Sequence, residues 1–338
     1  AAAGAVGSGS AALPALSSSG AAVVATDAPV TLLPGVTFER QVTLTSHGPV
    51  ALNVIVAPRP GGLLTLESAL SNDAVPGTES LTSIQRRLAP SATTVGVSGD
   101  FTTRAGRPAG VVIRAGSLQH QPLATRVSLG VDAEGTLRAA KVQLLGTWQG
   151  SGPRRLLSLV NGPPTGKQLA LYTPAWGPTT PASNGTVELV LQPFPPATSG
   201  GELTGTATVV AYGGGSQIPP DGAVLVARGA SARNLLAEAK VGQQVKLRLV
   251  LKPDWSGVVD AVGGGPLLVR DGVAVFRPTD AFPGPDLLAR KARSAVGQRA
   301  DGSIVLATVD GGRPAASVGM TNFELARVMV RLGVEVAV

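Results

Sequence analysis

Val30-Thr-Leu-Leu-Pro-Gly-Val-Thr-Phe-Glu-Arg-Gln-Val-Thr-Leu44 sets the fold class. Its β-branched and aromatic residues recur at period two, and Pro34-Gly35 interrupts them as a turn pair. That pattern predicts two short strands and no helix. The same reading extends outward to PVALNVIVAP at 49–58 and GLLTLES at 62–68. Strands are further predicted at Thr94–Val97, at Ala109–Ile113 and at Val127–Asp132, the last running into a turn at Glu134-Gly135. Later come Val245–Leu251 and Leu267–Val269, followed by Asp271-Gly272 as a hairpin turn. Helices fit Glu79–Leu88, with Thr78 as cap, and Ser231–Lys240. A third fits Thr321–Gly333, where Thr321 and Glu324 form a capping box and Leu325, Val328, Met329 and Leu332 share one face. The expected fold is α+β: a mixed, largely antiparallel β core with two to four helices. The Pro- and Gly-rich stretch 146–220 is expected to be a β-rich insertion.

Composition agrees with short elements. Gly and Pro number 44 and 27 in 338 residues, about a fifth of the chain against a usual ~12%. With 43% apolar residues the chain supports a sizeable core and is not disordered. No apolar run approaches the ~18 residues of a membrane helix, so no membrane span is expected. The absence of cysteine excludes disulfide scaffolds, thiolate zinc sites and cysteine nucleophiles. His47 and His120 stand far apart, so no metal site is predicted from histidine. No cofactor is expected, and a divalent metal is left open. The net charge of +7 comes from scattered singles and pairs such as Arg86-Arg87 and Arg154-Arg155, with only 3% aromatics. This reads as solvated surface charge, and no nucleic-acid partner is expected. Residues 1–29 are expected to be a flexible small-residue leader, uncharged over 1–26, ahead of a domain at 30–338. Such a leader fits a secreted or cell-surface protein.

Common catalytic motifs fail. Gly162-Pro-Pro-Thr-Gly166-Lys167 is one residue short of a phosphate loop and continues with Gln168. Gly96-Val-Ser98-Gly-Asp100 lacks the closing glycine of a nucleophile elbow.

Four ordered segments carry more. They are Val97-Ser-Gly-Asp-Phe101 with Gly106-Arg-Pro-Ala-Gly110-Val-Val-Ile-Arg114-Ala-Gly116; Val262-Gly-Gly-Gly-Pro266-Leu-Leu-Val-Arg-Asp-Gly272; Arg293-Ser-Ala-Val-Gly297 with Val309-Asp310-Gly-Gly-Arg313; and Ser317-Val-Gly-Met-Thr321 with Glu324-Leu-Ala-Arg327. Together they resemble the phosphodiester glycosidase family, from about Leu33 to Val338 and most weakly across 146–220. The resemblance implies a secreted hydrolase that cleaves a glycosyl phosphodiester of the N-acetylglucosamine-1-phosphate type in a cell-wall or surface glycan. Its partner would be a carbohydrate-phosphate substrate.

The residues suit that chemistry. A carboxylate such as Asp100, with Asp310 as second acid, would stabilise an oxocarbenium-like centre or activate water. Arg293 would grip phosphate oxygens. Gly263, Gly264 and Gly265 would let backbone amides approach an anion. Ser98, Gly99 and Thr321 would complete the substrate contacts, Thr321 at a helix N-terminus. Plainer readings stand beside these: a strand entry for the glycines, turn residues for Asp100 and Asp310, an ion pair for Arg293. A non-catalytic glycan- or wall-binding module is the alternative function.

Three departures from the family are visible: Ser98 where Asn is frequent, Thr102 where a second aromatic is, and Ser294 where Thr is. The family's Asp-Gly-Gly-Gly-Ser signature follows the strand that here reaches Val338. The expectation is therefore a chain truncated at its C-terminus, inactive alone and restored by that segment as a second chain.

Overall fold

A computed structural model describes residues 22–278, 282 and 287–338. Among them the strands form three sheets, and three helices, α1 (Leu81–Leu88), α2 (Gly229–Glu238) and α3 (Asn322–Arg331), pack around them. The α+β expectation is met.

The first sheet has nine strands. Its order runs Ala22–Thr26, Val36–Thr45, Gly48–Ala57, Ile304–Val309, Arg293–Arg299, Val334–Ala337, Val269–Arg270 and Val273–Ala274, with Val30–Leu33 also pairing to Val36–Thr45. Both runs around Pro34-Gly35 are strands, and Gly35 turns the chain at φ +77°. Of the expected leader, residues 22–26 belong to this sheet, and 1–21 lie outside the described residues.

The third sheet, five strands in the order Ser117–His120, Val112–Arg114, Val258–Gly263, Val127–Asp132 and Leu137–Lys141, lies between the other two. Val127–Asp132 is buried along its whole length because both of its faces are covered. On one side Leu129, Val131 and Leu137 pack on Ile304 and Leu306 of the first sheet. On the other, Ile113, Leu118, Val258 and Ala261 join Trp148, Leu157, Leu169, Leu247 and Leu249 of the second sheet in the largest core. Buried Gln298 stitches the first pair of layers: Leu137 N donates to its Oε1 at 2.8 Å, and its Nε2 donates to Gly135 O at 2.7 Å.

The second sheet has eight strands, all between Gln143 and Lys252. They extend past the 146–220 stretch, and in sequence they separate Leu137–Lys141 from Val258–Gly263. Gln244–Lys252 alternates exposed and buried residues, with Val245, Leu247, Leu249 and Leu251 turned inward, as period-two patterning requires.

Local expectations were met where the chemistry is local. Asp271 and Gly272 turn their hairpin at φ +51° and +70°, the conformation that a two-residue loop needs. The α3 box is complete: Thr321 Oγ1 accepts from Glu324 N at 3.3 Å, and Thr321 N donates to Glu324 Oε2 at 2.9 Å. Thr321→Ala is therefore expected to cost about 1 kcal/mol in chemical denaturation, and an unchanged midpoint would remove the cap from the account.

Others need correction. α1 starts two residues later than expected because Ser80, not Thr78, caps it, accepting from Ser83 N at 3.1 Å. Thr94–Val97 is not a strand. Neither is 62–68, where Ser68 N donates to Asp260 Oδ1 at 3.0 Å and not to a neighbouring strand. The strand predicted at Ala109–Ile113 begins only at Val112, because Ala109 N and Gly110 N are taken by Phe101 O and the Asp100 carboxylate.

Candidate functional site

Asp100 sits where the non-strand segment 92–100 meets the third sheet. Its Oδ2 accepts from Gly110 N, and its Oδ1 accepts from Phe101 N at 2.7 Å. Two glycines form its bed. A Cβ on Gly263 would stand 2.5 Å from Oδ2 and 2.9 Å from Gly110 Cα, and one on Gly110 would stand 3.1 Å from Oδ2. Only residues without a side chain let two backbones close on a carboxylate this way. Burial raises the Asp100 pKa above the usual carboxylate value, against the opposite pull of Gly110 N–H, Phe101 N–H and the Arg126 charge. The group is thus more basic than a surface aspartate.

The glycine run continues as a floor. A Cβ on Gly264 would meet Val338 Cγ1 at 3.2 Å, and one on Gly265, at φ +88°, would meet Val127 N at 3.4 Å and Phe282 at 3.5 Å. Phe282 stacks edge-to-face on Phe101 at 5.3 Å, and Arg126 lies 4.3 Å from the Phe282 ring and 5.2 Å from Phe101. Phe101, next in sequence to Asp100, is 48% exposed.

The first sheet reaches this place through Ser294, whose Oγ donates to Ser98 O at 3.0 Å. Gly99 packs on Val262. Ser98, Gly99, Asp100, Gly263 and Gly264 are therefore brought to one junction between two sheets. Arg293 follows the strand alternation to the other face. There its Nη2 donates to Ala289 O at 2.8 Å and its Nε to Met320 O at 3.3 Å, beside the α3 cap Thr321. Asp310 is exposed just past Val309, the pairing partner of Arg293. Its backbone is held by Ala51 O and by Ser317 Oγ. No contact joins Asp310 or Arg293 to Asp100 among the described residues.

Sequence reasoning did not assign Gly110, Phe101, Arg126, Phe282 or His120. Gly110 and Phe101 lay within quoted segments, but their partners Gly263 and Phe282 lie far along the chain. Among the described residues no group of three His, Asp or Glu side chains is placed to hold a metal. Among the same residues no helix is long and apolar enough to cross a membrane.

Residues 199–338 match the phosphodiester glycosidase family. That span includes Gly263–Gly265, Arg293, Asp310 and Thr321 but not Ser98–Asp100. No curated protein matches the sequence. The solved structure of a hypothetical Synechocystis protein aligns at TM-score 0.75 with 22% identity, over 92% of this chain and 57% of that one. The present chain thus spans little more than half of that protein. A Burkholderia pseudomallei protein, described as a candidate exported protein, aligns at TM-score 0.68 with 24% identity, over 86% and 67% of the two chains. Both are similar in fold. The catalytic domain of zebrafish N-acetylglucosamine-1-phosphodiester alpha-N-acetylglucosaminidase, auto-inhibited by its pro-peptide, aligns at TM-score 0.40 with 12% identity, over 93% and 74%.

Proposed function

We propose, from the premise that residues 199–338 match the phosphodiester glycosidases, that this chain hydrolyses glycosyl phosphodiesters, with Asp100 as the reacting carboxylate. The observation that carries the reading is the Asp100 cradle. A carboxylate made more basic by burial is held by two backbone N–H groups on a glycine floor, one of them from the half-exposed Phe101.

Breaking the bond between the anomeric carbon and the phosphate oxygen builds positive charge on the sugar ring. A fixed carboxylate stabilises that charge or takes a proton from the attacking water. The two N–H donors hold the oxygens so that no reorganisation is needed as charge develops. The phosphate keeps the bonding electrons and leaves as a monoester. Ser98, Gly99, Gly264 and Gly265 line the proposed substrate path. Arg293 and Thr321 are the proposed phosphate contacts, and Asp310 the proposed second acid, for a substrate that reaches round the end of the Arg293–Arg299 strand, since they stand on its other face. The substrate is proposed to be a sugar-1-phosphate linkage of the N-acetylglucosamine type in a surface or wall glycan. A secreted or cell-surface location is proposed from the uncharged leader and from the description of the Burkholderia neighbour.

Arg293→Lys probes the phosphate contact. An ammonium on a flexible stem cannot span two carbonyls and an anion as a planar guanidinium does. Turnover is expected to fall at least ~10-fold, with a lower melting temperature. Equal rates in mutant and parent would remove Arg293 from the site.

The test of the function itself is release of free sugar from a synthetic N-acetylglucosamine-1-phosphate methyl diester. It is run on the chain alone and with a segment carrying the family's Asp-Gly-Gly-Gly-Ser motif. Release in either arm supports the proposal. Saturable binding without release in both arms would make the protein a glycan-binding module instead.

A further inference from the structure

We propose that His120 is a positioning residue for Asp100, within a one-way hydrogen-bond relay that starts on the second sheet and ends on the Asp100 carboxylate. The inference rests on the reading of Asp100 as the reacting group.

The direction of every link follows from what each atom is able to do. Val160 N donates to Gln121 Oε1 at 2.9 Å, which fixes the amide's orientation, because an N–H meets only its oxygen. Gln121 Nε2 therefore faces His120 Nε2, at 3.3 Å, and an amide nitrogen only donates. His120 Nε2 must accept, so in the neutral ring the proton sits on Nδ1. Nδ1 lies 2.7 Å from Gly110 O, a carbonyl that only accepts, which requires the same tautomer independently. Gly110 N in turn donates to Asp100 Oδ2. His120 thus grips Gly110 by its carbonyl while Asp100 grips it by its N–H.

The surroundings support a neutral, immobile ring. His120 is 5% exposed, and burial pushes its pKa below the ordinary histidine value, against the pull of the Gly110 and Gln121 backbone bonds and with the Arg107 charge acting in its favour. Arg107 is the charged group that faces the ring, and Arg126 the one that faces Asp100. Gly162 leaves room for the link, since a Cβ there would approach Gln121 Nε2 to 3.0 Å. Val160 is fully buried in the core that joins the second sheet to the third, so the far end is anchored. No proton travels along the relay. It holds one N–H dipole against a carboxylate whose charge changes during reaction, and it gives the second sheet a part in the site.

The conservative pair is His120→Leu, which removes the donor, and His120→Asn, whose Nδ2 stands where Nδ1 did. In His120→Leu, kcat is expected to fall about tenfold with KM within about threefold. The acidic limb of kcat/KM should move to higher pH by at least about half a unit, because Gly110 N–H is then held less firmly against the carboxylate it favours. His120→Asn should restore most of both. A limb that stays in place in His120→Leu while the melting temperature falls would reduce His120 to a packing residue and overturn the proposal. A second measurement needs no variant: 15N NMR of the labelled natural protein should show neutral His120 protonated on Nδ1, and an Nε2–H tautomer would overturn the relay. If Asp100→Asn leaves turnover intact, the functional reading fails, whatever tautomer is found.

Discussion

Asp100→Asn is expected to lower kcat on a glycosyl phosphodiester by about 10²- to 10⁴-fold while the protein stays folded. The substitution keeps the size of the side chain but removes the charge and the basic lone pairs. Its carbonyl accepts from one of the two donors, Gly110 N or Phe101 N, and its NH2 faces the other. One buried hydrogen bond is lost, worth about 1–3 kcal/mol, and relief of a buried charge offsets part of that. The balance depends on pH in a definite sense. The Asp100 pKa is higher in the folded protein than its ordinary 3.8, so the folded state binds the proton more readily than the unfolded one. The contribution of Asp100 to stability is fully present below that ordinary value and is lost as pH rises through the folded value. Asp100→Asn carries no such loss, so the variant should gain on the parent as pH rises from acid to neutral. Thermal unfolding of both proteins across that window measures it. A variant that falls further behind with rising pH would mean that Asp100 is stabilised as a carboxylate, contrary to its raised pKa.

Gly263→Ala is expected to have the largest effect of any single methyl group in the site. Its Cβ would lie 2.5 Å from Asp100 Oδ2, 2.7 Å from Cγ and 2.9 Å from Gly110 Cα, so the carboxylate and the Gly110 segment must both move. Overpacking of this kind costs about 1–3 kcal/mol. Displacing a reacting carboxylate should reduce kcat/KM at least ~100-fold. The neighbouring glycines grade the effect. Gly265→Ala meets only ordinary contacts but is held at φ +88°, which disfavours a side chain by about 1 kcal/mol. Gly264→Ala meets one side-chain carbon of Val338 at 3.2 Å, which a small shift relieves. The predicted order of damage to kcat/KM per folded molecule is 263, then 265, then 264. If Gly264→Ala proves worst, the floor and not the Asp100 bed is what the run provides.

These residues also show what a reader of the chain is able to see. The α3 capping box, the Asp271-Gly272 hairpin and the Val127–Asp132 strand are legible because each is written in adjacent residues: a hydroxyl three positions before a carboxylate, a turn pair, a period-two run. Thr94–Val97 and 62–68 have the same local signature as real strands, yet among the described residues no strand pairs with them. Pairing is decided elsewhere in the chain. The α1 cap was displaced because Thr78 and Ser80 are equivalent by type and only the fold chooses between them. The four site segments were legible as a set through their order, but not what they touch. Gly263 was read as an approach point for a ligand anion, and in the fold the carboxylate of Asp100 lies against it. In the sequence His120 only fails to make a metal site, and in the fold both its ring nitrogens are hydrogen-bonded. Its satisfaction is the point, because both its partners, Gly110 and Gln121, connect onward.

The central claim is that the carbon–oxygen bond of a glycosyl phosphodiester breaks at the Asp100 cradle. Hydrolysis in H2-18O followed by 31P NMR of the released phosphate monoester tests it most directly, with Asp100→Asn as the control for the site. Attack at the anomeric carbon leaves the phosphate oxygens untouched, so the account predicts a monoester without 18O and release by the variant slowed at least about 10²-fold. An 18O-shifted phosphorus signal would show cleavage at phosphorus, and equal release by Asp100→Asn would place the chemistry elsewhere; either result contradicts the account.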